Sequence, residues 1–86
     1  SHPSIYLCTP IHSENVEWGI RDSVITNEIA PLVRLLVRRN KQKLIDLNIL
    51  FPNDKNLLLD DGVHPNVDGS KRLAEIIYNE IKRKEL

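Results

Sequence analysis

Two short apolar runs flanking one long amphipathic stretch constrain this chain more than any other feature. Ile5–Thr9 and Leu44–Leu47 are too short for helices, and Ile5–Thr9 is too continuously apolar for a strand with one wet face. That is the character of strands buried on both sides of a parallel sheet. Between them Val24, Ile25, Ile29, Leu32, Val33, Leu36 and Val37 recur at spacings of three, four and seven. The pattern predicts a helix over about 22–40 whose broad apolar face must be covered. Strand, helix, strand in this order implies a right-handed parallel crossover and an α/β fold. A second helix is predicted over about 66–84, with Val67, Leu73, Ala74, Ile76, Ile77, Tyr78 and Ile81 on its packing face.

The punctuation between these elements is equally specific. Pro10 closes the first strand, and Asp22 or Ser23 can cap the first helix. Pro31 lies inside the helical pattern and should kink it or divide it there. Arg38-Arg39 signals the helix end, and Asn40 tolerates the left-handed conformation of a C-cap. Asp46 interrupts the second strand, where a structural hydrogen-bonding role is expected of it. Asn48–Asp60 is expected to be a loop turning at Pro52-Asn53-Asp54, with Leu57-Leu58-Leu59 tucked into apolar surface. Gly69 early in the last helix costs about 1 kcal/mol against alanine, which close packing on a neighbouring element would offset.

The chemistry is concentrated in Asp60-Asp61-Gly62-Val63-His64-Pro65-Asn66, in the connection to the last helix. A carboxylate stands three residues ahead of an imidazole on a constrained turn. Asp61 can accept a hydrogen bond from Nδ1 of His64, fixing the tautomer and leaving Nε2 as a general base. Gly62 gives the turn its conformational freedom, Pro65 fixes the backbone after the histidine, and Asn66 is suited to cap the helix. Asp60 is expected to point elsewhere. The nucleophile must come from another part of the molecule.

Asp61-Gly62-Val63-His64-Pro65-Asn66, followed by Asp68-Gly69 and the helix Leu73-Ala74-Glu75-Ile76-Ile77, resembles the closing block of the SGNH or GDSL-type esterases. Ile5-Tyr6-Leu7-Cys8-Thr9-Pro10 and Leu44-Ile45-Asp46-Leu47 are similar to the last two core strands of that family. The resemblance implies the C-terminal part of a flavodoxin-like, three-layer α/β/α fold. It also implies a serine hydrolase in which Asp61 and His64 supply two members of a catalytic triad. The Gly-Asp-Ser nucleophile block, the oxyanion glycine and the Gly-x-Asn-Asp block of the family have no counterpart here. Residues 1–86 are thus expected to form a single partial domain, inactive alone, with the nucleophile-bearing N-terminal half absent. The implied substrate is an ester, with O-acetyl groups on carbohydrate as the guess by resemblance. The alternative is a non-enzymatic α/β interaction module that keeps the look of the family.

Composition narrows the other classes. Eighty-six residues make one small domain with a modest core. Twelve basic and twelve acidic residues cancel, which removes the electrostatic footprint of a nucleic-acid binder. The cations at Arg34, Arg38, Arg39, Lys41 and Lys43 suit a helix end. No run approaches the roughly 18 apolar residues of a membrane span, and no signal-peptide pattern opens the chain. One cysteine, Cys8, excludes an internal disulfide and is expected to be a buried packing thiol. Ser1-His2 resembles a tag remnant, and Lys84-Glu85-Leu86 a helix end more than a retention signal.

No cofactor is implied, and no zinc spacing is present. A metal site from His64, Asp61 or Asp60 with His2 or His12 is the weakest reading. His12 and Trp18 lie in the loop after the first strand, where ligands of open α/β sheets bind, so both are possible substrate contacts. The competing expectation leaves His12 solvated and packs Trp18 over the next helix. Ser13 lacks the context of a nucleophile. Two parallel strands with two helices expose a strand edge, expected nearest Ile5–Thr9. The missing N-terminal half of the domain or self-association should cover it.

Overall fold

The structure, a computed structural model, describes residues 3–85. Strand β1 (Tyr6–Cys8) and strand β2 (Lys43–Ile45) form a two-stranded parallel sheet, with Tyr6 opposite Lys43, Leu7 opposite Leu44 and Cys8 opposite Ile45. Helical segments α1 (Asp22–Val24) and α2 (Ala30–Arg39) lie between the strands, and α2 packs against both of them. After β2 come a single helical turn, α3 (Leu47–Leu50), a 3₁₀ turn at Lys55–Leu57 and the long helix α4 (Val67–Glu85). The chain is therefore α/β. The register sets Tyr6, Cys8, Lys43 and Ile45 on one face of the sheet and Leu7 and Leu44 on the other. Glu85 at the end of α4 meets the first face, accepting hydrogen bonds from the Tyr6 hydroxyl at 2.6 Å, from Ser4 at 3.0 Å and from Lys43. Those three donors hold the Glu85 carboxyl down at about 2, Lys43 first among them.

The first helix does not break at Pro31. Instead Ile25–Ile29 form a π-helical turn, closed by the Ala30 amide donating to the Ile25 carbonyl, and α2 continues from it. The wide turn takes in one extra residue immediately before the proline, whose ring would otherwise press on the preceding turn and whose missing N–H would open a gap. Neither Asp22 nor Ser23 caps the helix, because the Asp22 carboxylate is turned to His12 and to the amide of Ser13. At the other end the left-handed residue is Lys41 (φ 53°), one place beyond Asn40. Asn40 donates its side-chain amide to the Leu36 carbonyl, and the Gln42 amide reaches back to Val37.

The second strand stops at Ile45. Asp46 ends it by accepting a bidentate pair from Arg34 (2.9 and 3.1 Å) and the Thr9 hydroxyl (2.7 Å), while Thr9 accepts from the Asn48 amide at 2.8 Å. Partial burial would raise the Asp46 carboxyl, but the Arg34 and Thr9 hydrogen bonds outweigh it and hold it below the usual range. Leu47 thus begins α3 instead of finishing a strand.

Ile25, Ala30, Val37, Ile45, Leu47 and Phe51 form the core, joined by the polar but fully bonded Thr9, Ser13 and Asn48. That core covers only part of the apolar surface. Ile29, Leu32 and Leu36 stay exposed on the far stripe of the first helix, as do Ile5, Leu59, Tyr78 and Ile81 elsewhere. Leu59 therefore does not tuck in as Leu57 and Leu58 partly do. Cys8 is exposed as well, because the sheet face that carries it is only partly covered. The partial burial that remains pushes its thiol pKa up. Among the described residues no helix is long and apolar enough to cross a membrane.

Candidate functional site

The turn before α4 is held from both ends. The Leu59 amide donates to the His64 carbonyl at 2.7 Å and the Gly62 amide to the Leu59 carbonyl at 3.0 Å, so residues 59–64 close on themselves. Asn66 then caps α4. Its side-chain oxygen accepts the Gly69 amide at 2.8 Å, and its side-chain nitrogen donates to the Asn56 and Leu58 carbonyls. Gly69 is buried, with the Leu57 carbonyl standing where a β-carbon would be.

Within this frame every acceptor site of Asp61 that faces the turn is used. Oδ1 accepts the Val63 amide at 2.8 Å and the His64 amide at 2.9 Å, and Oδ2 lies 2.6 Å from His64 Nδ1. These bonds, the imidazole contact first, lower the Asp61 carboxyl to about 2. An ionised carboxylate can only accept, so the hydrogen of the neutral imidazole sits on Nδ1. Nε2 is left with a free lone pair. The Asp61 side chain is 20% exposed and that of His64 63%, so the carboxylate is sheltered while the imidazole stands open to a reacting partner. The arrangement can orient a neutral imidazole, accept a proton at Nε2, and stabilise the imidazolium that results.

A second segment, residues 11–20, is fastened to this turn. The Glu14 amide donates to the Gly62 carbonyl at 3.1 Å, and the Asn15 side-chain amide donates to the Asp61 carbonyl at 3.0 Å. Asn15 and Ile20 exchange backbone hydrogen bonds of 2.9 Å in both directions, closing a tight turn that carries Trp18. Asn15 Oδ1 also accepts the Trp18 amide, and Gly19 takes the left-handed conformation (φ 74°) that the turn requires. Trp18 thereby stands edge-on to His64, with ring centroids 6.2 Å apart at 68°. More than half of its surface is exposed. The same two segments line an open groove of about 840 Å³ whose walls include His12, Asn15, Glu17, Asn53, Asp60 and Asp61 but neither Trp18 nor His64.

His12 is not solvated. Its Nδ1 lies 2.9 Å from Asp22 Oδ2 and 3.3 Å from the Thr26 hydroxyl, so it buckles the loop to the first helix and is held apart from a joint site with His64. Among the described residues no three metal-binding side chains converge, and His2 lies outside them. Ser13 is buried, its hydroxyl donating to the Ile11 carbonyl at 3.3 Å. Asp60 is exposed on the groove and takes no part in the Asp61–His64 contact. The roles of Asn15 and Asp22 were invisible to sequence reasoning. Asn15-x-x-Trp18-Gly19 signals a capped turn, but not its attachment to residues far along the chain.

No family model matches the chain. No solved structure matches it either. It is 45% identical over 80 residues to an acetylxylan esterase of Xylanibacter ruminicola, an alignment that takes in 93% of this chain. The chain spans 17% of the length of that curated relative, and is thus similar to one stretch of an acetylxylan esterase.

Proposed function

We propose that these residues are the C-terminal part of an SGNH-type ester hydrolase that removes O-acetyl groups from carbohydrate, with His64 as general base and Asp61 as its orienting partner. The observation that carries the reading is the 2.6 Å contact between Asp61 Oδ2 and His64 Nδ1, beside an imidazole whose other nitrogen is open. Similarity to an acetylxylan esterase supports the acetyl and carbohydrate parts of it. The apolar stripes left exposed on the first helix and on α4 support a domain completed by further chain.

In this mechanism His64 Nε2 takes the proton from a serine hydroxyl supplied by that further chain as the oxygen attacks the acetyl carbonyl. The carbonyl oxygen becomes an oxyanion, held by donors outside these residues. His64 then returns the proton to the departing sugar oxygen, leaving an acetyl-serine and a free sugar hydroxyl. Water, deprotonated by the same nitrogen, then attacks the acetyl-serine; the ester bond to serine breaks, His64 returns the proton to the serine oxygen, and acetate leaves. Asp61 stays ionised throughout, since its carboxyl titrates at about 2. Its part is to hold the ring and stabilise the imidazolium.

The test is acetate release by the full-length protein and its variants. His64→Gln should lower turnover roughly a thousandfold or more, and Asp61→Asn by a comparable order, since it inverts the hydrogen-bond polarity at Nδ1. The 86-residue chain alone should not hydrolyse p-nitrophenyl acetate above buffer. Full activity in His64→Gln would remove the Asp61–His64 pair from the chemistry, and no acetate release by the full-length protein would end the hydrolytic reading.

A further inference from the structure

Trp18 is the only tryptophan of the sequence, and 56% of it is exposed. It stands on a fixed turn. The Asn15–Ile20 pairing, the Asn15 cap and Gly19 hold that turn, and the Asn15 and Glu14 hydrogen bonds tie it to Asp61 and Gly62. The backbone that carries the indole is therefore set before any ligand arrives.

Its position says what it could grip. With His64 as the base, the scissile ester lies at Nε2, and the ring of an acetylated sugar is separated from the acetyl carbon by a single oxygen. The sugar ring must then lie within about its own width of the imidazole. Trp18, 6.2 Å from the imidazole centroid, borders that space. An indole face is electron-rich and apolar, and it complements the weakly positive C–H face of a pyranose.

We propose that Trp18 is the stacking platform of a carbohydrate subsite next to His64. The proposal rests on the hydrolytic reading above and adds to it a residue for the sugar ring.

The full-length protein is titrated by calorimetry with unacetylated xylotetraose and, separately, with acetate. Saturable binding of the sugar and none of acetate is expected. Trp18→Ala should weaken sugar binding roughly tenfold, or about 1.4 kcal/mol. A flat sugar titration, as when Trp18 only seats the rest of a domain, overturns the platform, and so does unchanged affinity in Trp18→Ala. The readout is binding and not turnover, so the two readings fail separately. A flat titration leaves the Asp61–His64 chemistry standing. Sugar binding in a protein whose acetate release survives His64→Gln supports the platform and removes His64 from the chemistry.

Discussion

Glu14 and Gly62 are locked together from both sides. The Glu14 amide donates to the Gly62 carbonyl at 3.1 Å, and the Glu14 carbonyl fills the space a β-carbon on Gly62 would occupy. Gly62 also has φ 73°. An alanine there meets a backbone cost of about 1–2 kcal/mol. The overlap, against a backbone atom that cannot swing aside, adds about 1–3 kcal/mol. Gly62→Ala should therefore lower the thermal midpoint by well over the 4–8 °C that roughly 1 kcal/mol represents in a chain of this size. Amide protection of Glu14 should fall with it. A melting point within a degree of the parent would remove this account of the turn.

Gly69→Ala tests packing against propensity. In an open helix the change would stabilise by about 1 kcal/mol. Here the Leu57 carbonyl, itself engaged by the Asn66 amide at 3.0 Å, and Pro65 Cβ at 3.1 Å leave no room. The substitution should be destabilising despite better helix propensity, as chemical denaturation would show by a lower midpoint.

Acid should weaken the fold in a defined window. The carboxyls of Asp61 and Glu85 are depressed to about 2, below the roughly 4 expected in the unfolded chain. A depressed carboxyl contributes stability in full above its unfolded value and loses it as pH falls toward the folded one. Denaturation midpoints should be level from neutrality to about pH 5 and drop between about 4 and 2. Asp61→Asn should flatten part of that drop. An unchanged slope in the variant would mean that the Asp61 contacts contribute nothing in solution.

Ile29, Leu32 and Leu36 sit at spacings of three and four on one face and are 42%, 59% and 51% exposed. A stripe of this kind favours association when nothing else covers it. Light scattering of the 86-residue chain should show concentration-dependent oligomers. Leu32→Lys combined with Leu36→Glu should shift them to monomer. A wild-type chain that stays monomeric on concentration would argue against an uncovered interface.

What the sequence made legible was largely local. The parallel strand pair with a helix between follows from two apolar runs and a helical period, and the Asp61–His64 contact needs only three residues of chain. Asn66 and Gly69 likewise act through neighbours. The rest depends on partners far apart in sequence. The π turn at Ile25–Ile29 keeps the apolar period alive past Pro31, so the proline signal alone suggested a break. Asp46 was correctly assigned to hydrogen bonding, but its grip by Arg34 and Thr9 shortens β2 and lets Leu47 turn into α3. The exposure of Cys8 escaped notice because a strand of apolar residues is assumed to be covered, and this small core covers little. His12 with Asp22, and Asn15 with Asp61, pair across loops that no periodicity describes.

The carboxylate and the imidazole are joined within one turn, whereas the tryptophan beside them is tethered by an asparagine 46 residues away. Proton-handling geometry is thus written into four consecutive residues, and its surroundings into the fold. Drift elsewhere in the chain can shift the Trp18 loop and change what lies against the histidine without disturbing the aim of its ring. Gradual unfolding should therefore part the tryptophan from the imidazole before it parts the imidazole from the carboxylate.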